Sequence, residues 1–310
     1  MINKFDLITL MQLNNIGSKT VIQLHEEIQN QRLINLNFND CIFMLKEKFN
    51  KKYTKKEIDK AKLKSENILE SCYLENIKII SFLDSNYPKR FEKIKIDKPA
   101  LLYTKGNTDI MTEEYNLAVI GSRKASEEGI EIGYSYAKKA AEYGFNIISG
   151  LALGCDTSGH RGVLASNKTN SKTGRTLAVL PSGIKNIYPN DNEGLALEIL
   201  KSKGCLISEK SPSEPPEKYD YILRDRLQAA LSEALLIIES RLNGGTSYTA
   251  KYGIKYNKKL MCIGINLKNK GMELNKKLIE NKDAVKINNK KDFVDILIRE
   301  RNEHSEISHQ

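Results

Sequence analysis

The chain of 310 residues has no long apolar run, few histidines and no paired cysteines. No segment approaches the roughly 18 uninterrupted apolar residues of a membrane span. The N-terminal stretch MINKFDLITLMQLNN lacks the apolar core and cleavage site of a secretory leader. Both absences point to a cytoplasmic protein without a membrane partner. The five cysteines, Cys41, Cys72, Cys155, Cys205 and Cys262, are odd in number, far apart and without a Cys-x-x-Cys pair. Free or buried thiols are expected rather than disulfides or zinc. Four histidines, His25, His160, His304 and His309, are too few and too scattered for a metal centre, which needs three or four ligands. Neither a metal nor a cofactor is expected.

Positive charge is in excess, with 49 Lys and Arg against 39 Asp and Glu and a net charge of +10. Such an excess suits a polyanionic partner. It is carried mostly by lysine, so drift in composition accounts for it equally well. The length allows one large core or two domains.

The most informative stretch runs from Leu117 to Leu164. Leu117–Ile120 reads as a buried strand that stops at Gly121-Ser122-Arg123, and a helix with Ala137, Ala140 and Ala141 on its apolar face follows. Asn146–Ile148 reads as a second strand that stops at Ser149-Gly150, with Gly154 and Asp156 opening the next helix. Small residues at strand ends permit a sharp turn and leave helix N–H groups free, where the helix dipole favours an anion. Two such turns in tandem predict a phosphate-binding rim, with Asp156 as N-cap of the second helix. Arg123, beside these amides, suits two phosphate oxygens at once, although an ion pair with a nearby acid would also hold it. Lys124, Lys185, Ser149 and Ser182 are weaker rim candidates. Asp156 and His160 lie four apart on one helix face, and capping with a local hydrogen bond accounts for them without a metal.

The alternation continues. Thr176–Leu180 ends in Pro181-Ser182-Gly183, Cys205–Ser208 ends at Glu209, and Ala234–Glu239 precedes the turn Asn243-Gly244-Gly245-Thr246. Helices are expected from Asp191, over Tyr219–Leu231 and through Tyr256, a strand over Leu260–Ile265, a weaker one near Ala284–Ile287 and a last helix near Phe293–Arg299. Arg224 and Arg226, two apart, diverge on their helix. Tyr188 could stack on a base, but packing against Pro189 explains it as simply. The expected fold is α/β: a Rossmann-like, mostly parallel sheet with helices on both faces, binding its ligand beyond the carboxyl ends of the strands.

Gly121-Ser122-Arg123 followed by SGLALGCDTSGHRG from Ser149 to Gly162 resembles the paired signatures of the DNA-processing protein A family, also called Smf. Tyr87-Pro88, Pro99–Tyr103, AVLPSGIKNIYPNDN from Ala178, Leu206–Glu209 and the Gly244–Ala250 turn resemble further family pieces, so the likeness covers roughly residues 79 to 298. Three departures stand out. Leu153 occupies a place where the family usually has Arg, Asp225 separates two family arginines, and the C-terminal winged helix that many family members carry is not expected here. The resemblance implies a non-enzymatic protein that binds incoming single-stranded DNA in natural transformation, self-associates as a homodimer and loads the RecA recombinase. It implies DNA or phosphate contacts among Gly121, Ser122, Arg123, Lys124, Ser149, Gly150, Gly154, Asp156, His160, Lys185, Arg224, Arg226, Gly244, Gly245 and Thr246.

Residues 1–72 read as a small all-helical domain, similar to a SAM-like or helix-hairpin-helix module, around the turn Asn14–Lys19. Lys46–Lys64 reads as a lysine-heavy amphipathic stretch, with Ile58, Ala61, Leu63 and Ile68-Leu69 on the buried side and the lysines on a solvated face. Residues 73–300 form the Rossmann-like domain and residues 301–310 a polar tail. Two other functions remain open on the same fold. One is a nucleotide-cleaving enzyme, for which no nucleophile–base set stands out; the other is a nucleotide-sensing module.

Overall fold

A computed structural model describes residues 2–32, 36–113, 115–169 and 173–307. The chain forms two compact units, Met1–Tyr103 and Thr104–Gln310.

The first unit begins with α1 (Lys4–Met11), α2 (Ser18–Asn30), α3 (Phe38–Phe49) and α4 (Lys55–Leu74). Their starts are written in side chains. Asn3 caps α1, and Asn37 with Asp40 and Thr54 with Glu57 form reciprocal capping boxes on α3 and α4. Leu7, Leu10, Ile22, Leu24, Cys41, Leu45 and Ala61 are buried in this unit. Thr9 and Ser65 bury their hydroxyls together at 3.1 Å. The stretch 46–64 spans two helices: Asn50, left-handed at φ 51°, ends α3 before Thr54 starts α4. The register of α4 leaves Leu63 59% exposed, which corrects the expectation of a buried Leu63. β1 (Lys78–Ser81), the short α5 (Lys89–Glu92) and β2 (Leu101–Gly106) follow, with β1 beside β2.

The second unit alternates strictly. Its elements are β3 (Asn116–Ile120), α6 (Glu127–Glu142), β4 (Asn146–Ser149), α7 (Cys155–Thr169), β5 (Thr176–Val179), α8 (Glu193–Lys201), β6 (Cys205–Ser208), α9 (Asp220–Leu231), β7 (Ala234–Ile237), α10 (Thr246–Lys255), β8 (Lys259–Ile263), α11 (Glu273–Glu280), β9 (Val285–Ile287) and α12 (Lys290–Ile307). The helix expected to end near Arg299 runs on to Ile307, and the end of the expected polar tail, 308–310, lies outside the described residues.

Within this unit the strands lie in the order β6-β5-β4-β3-β7-β8-β9, and every pair is parallel. Strand side chains alternate between faces, so both faces must be covered. Leu117 and Val119 of β3 join Ala137 and Ala140 of α6, Val163 of α7 and Phe293 of α12 on one face. Ala118 and Ile120 join Ala229 of α9, Ala250 of α10 and Leu274 of α11 on the other. The chain builds outward from β3 to β6 and then returns to place β7 on the opposite side of β3. The crevice beyond the carboxyl ends of β3 and β7 is therefore the topological switch point, where open α/β sheets hold their ligands.

Candidate nucleic-acid interface

A cavity of about 670 Å³ opens at this switch point. The loop after β3 contributes Gly121, Ser122, Arg123 and Lys124; the loop after β7 contributes Ser240, Arg241, Gly244 and Gly245; Thr246 and Thr249 come from α10. Its floor is Arg224, Asp225 and Gln228 of α9, with Asp156 from α7. Five cations, Arg123, Lys124, Lys218, Arg224 and Arg241, face two carboxylates across it. The guanidinium of Arg123 lies 4.6 Å over the ring of Tyr221. A smaller cavity of about 100 Å³ adjoins the same arginines and is lined by Leu153, Pro181, Tyr188 and Pro189. Tyr188 is 45% exposed, and its ring lies 6.3 Å from that of Tyr221 at an interplanar angle of 75°.

The two tandem turns are not open anion sites. Ser126 caps α6 by accepting from the Gly129 amide, while its own N–H and hydroxyl donate to the Glu239 carboxylate at 3.1 and 2.6 Å. At the second turn Asp156 Oδ2 accepts from the amides of Gly150 (3.1 Å) and Ala152 (3.3 Å). Asp156 thus ties the strand-to-helix loop rather than capping the free amides of α7, which corrects the N-cap expectation. Each turn carries an anion of the chain itself. Gly154, at φ +74°, has no room for a side chain, since a Cβ there would meet Ser122 O at 2.3 Å.

The buried guanidinium of Arg224 occupies the space where a side chain at Gly150 would lie. Its Nη1 is 3.7 Å from Asp156 Oδ2 and its Nε 3.2 Å from Asp225 Oδ1, yet neither nitrogen makes a hydrogen bond. Burial pushes the Asp225 carboxyl up to about 7, against the pull of Arg224. Burial also raises Asp156, with Arg224 and the Ala152 amide opposing it.

The other expected site residues lie elsewhere. Arg226 is buried and donates to both oxygens of Glu209 at 2.6 Å; burial disfavours its charged form, but the Glu209 carboxylate outweighs this and raises its pKa. The divergence of the two arginines is real: Arg224 faces the cavity and Arg226 is locked away from it. His160 is fully buried with Nδ1 2.7 Å from Thr176 Oγ1, and burial lowers its pKa to about 3. Ser149 donates its hydroxyl to Val119 O. Lys185, Ser149, Gly154, His160 and Arg226 do not line the large cavity, and Gly150 lines only the small one. Sequence reasoning missed Lys218, Gln228, Arg241 and Thr249; their helix and turn positions held the only signal. Among the described residues no group of three or more His, Cys, Asp or Glu could hold a metal, and no helix is long and apolar enough to cross a membrane. All five cysteines are buried, and none is in a disulfide.

A family model described as DNA recombination-mediator protein A matches residues 78–297. The chain belongs to this family. Its curated relatives include protein Smf of Borreliella burgdorferi, 34% identical over 169 residues, covering 54% of this chain and 51% of that protein. The DNA processing protein DprA of Bacillus subtilis is 28% identical over 209 residues, covering 67% and 68% of the two chains. The chain therefore aligns with about half of the first of these relatives and two thirds of the second. Among solved structures, DNA processing protein A of Streptococcus pneumoniae matches with a TM-score of 0.78 at 22% identity, over 94% of this chain and 97% of that one. The protein of the same name from Helicobacter pylori, described for its single-stranded DNA binding mode, matches with a TM-score of 0.63 at 27% identity, over 72% and 96%.

Proposed function

We propose that this family member binds single-stranded DNA without catalysing a reaction. The observation that carries the reading is the cavity at the β3/β7 switch point, where five cations and the N-terminus of α10 surround a space open to a phosphate. Arg123, Lys124 and Arg224, with Gly121, Ser122 and Gly244–Thr246, contact the backbone; Tyr188 stacks on a base. Asp156 forms part of the floor and Gly150 lines the smaller cavity, while Arg226, His160, Ser149 and Gly154 lie outside both. The nearby carboxylates of Glu239 and Asp156 are engaged by Ser126 and by the Gly150 and Ala152 amides, which suits binding better than acid–base chemistry. Family membership supports the wider role: protecting incoming strands in natural transformation in the cytoplasm, acting as a homodimer and loading RecA.

Fluorescence anisotropy with a labelled oligo-dT strand tests this. Affinity should weaken steeply with salt, and Arg123→Ala with Arg224→Ala should weaken it by about tenfold or more. Unchanged affinity in the double variant sinks the assignment of the cavity. The cavity volume favours one rival, a mononucleotide sensor. Tight binding of a nucleoside monophosphate with no strand binding would establish that rival instead.

A further inference from the structure

Of the five cations lining the cavity, Arg224 is the buried one. Two buried carboxylates share it, so the floor holds one more acid than base. The two acids are not equivalent. Asp156 is fixed by the backbone amides of Gly150 and Ala152, which stay donors at every pH. Asp225 is held by side chains alone, accepting from Gln228 Nε2 at 3.0 Å and from the Thr249 hydroxyl. The other amide atom of that glutamine, Gln228 Oε1, is a buried acceptor with no donor. A buried acceptor costs free energy until a donor reaches it. Turning the Gln228 amide would bring Oε1 to Asp225, and only a protonated Asp225 could satisfy it.

We propose that Asp225 takes up one proton when a phosphate is seated on Arg224, so that strand binding by this chain is coupled to pH. The incoming phosphate replaces the Asp225 carboxylate at the guanidinium. The displaced carboxylate accepts a proton from solvent, and the resulting carboxyl donates to Gln228 Oε1. The net charge on the floor is then the same in both states, because the phosphate takes over the charge that the carboxylate gives up. The charged groups facing Asp225 are Arg224 on its own helix, Asp156 from α7 and Arg123 from the loop after β3. From α10 come the Thr249 hydroxyl and Tyr248, with Lys251 over the Tyr248 ring. The strands β3, β4 and β5 beneath α9 contain no titratable side chain. Burial already places the Asp225 carboxyl near neutrality, so a nearby anion, a like charge, raises it further.

The inference rests on the strand-binding reading, and one experiment separates the two. Oligo-dT affinity is measured at constant ionic strength from about pH 6 to about pH 8.5 for the natural chain and for Asp225→Asn; a phosphodiester does not titrate in that range. The affinity of the natural chain should fall as pH rises, approaching tenfold per pH unit above about pH 7, while Asp225→Asn stays flat. Calorimetry of the natural chain in two buffers of different ionisation heat should show uptake approaching one proton per site, and this arm holds even where the variant fails to fold. Strand binding without pH dependence or proton uptake overturns the inference and leaves the strand reading intact. A chain that binds no strand is titrated with sulfate, a dianion that does not titrate in this range. Proton-linked sulfate binding then keeps the inference and removes the strand reading, and pH-independent or absent sulfate binding overturns both.

Discussion

At the scale of single residues, the floor of the cavity trades stability for charge. The Asp225 carboxyl sits near 7 in the folded chain against an ordinary 3.8. The folded state therefore holds a proton that the unfolded state releases between these values. Stability from this group is fully present below the lower value, is lost as pH rises through the window, and levels off above about 7. Asp225→Asn is expected to be more stable than the natural chain at alkaline pH by about 1–2 kcal/mol, with the difference shrinking toward acid. Urea unfolding at two pH values checks this. Gly150→Ala tests the neighbouring contact. Its Cβ would lie 1.1 Å from Arg224 Nη1, so the guanidinium must move, and strand affinity should fall with little change in the rest of the sheet. The small residues of these turns were legible in the sequence because the backbone demands them locally. The orphaned Gln228 Oε1 and the exposed Leu63 were not, because each depends on helix register and on partners brought in by the fold.

At the scale of elements, the strand–turn–helix succession could be read directly. Apolar runs ended in small residues, and this local rule survives in β3 and β4. The occupants of the turns could not. Glu239 reaches Ser126 across 113 residues of sequence, a separation that no local pattern encodes. The side chain of Glu239 joins the loop after β7 to the start of α6. Glu239→Ala leaves the Ser126 N–H and hydroxyl without their acceptor and should cost about 1–3 kcal/mol in urea unfolding. Native-state hydrogen exchange should show the loss concentrated in the first turn of α6.

At the scale of the whole molecule, charge is unevenly placed. The stretch from Lys46 to Lys64 carries nine lysines and three acids, within a chain whose net charge is +10. Long-range attraction of this kind governs encounter more than residence. Replacing Lys51, Lys52, Lys55 and Lys56 with Gln should slow association with oligo-dT severalfold at low salt and leave dissociation unchanged, as stopped-flow mixing would read. The carboxylates at the α6 and α7 turns also reach beyond their own loops. A glycine turn left vacant would be filled by the free phosphates and nucleotides of any cell. A chain that brings its own counterions to two of these turns presents a weak site to monomers. If it binds strands as proposed, its hold would come from repetition, as successive phosphates of one strand meet successive weak contacts, and it would discriminate by polymer length rather than by chemical identity.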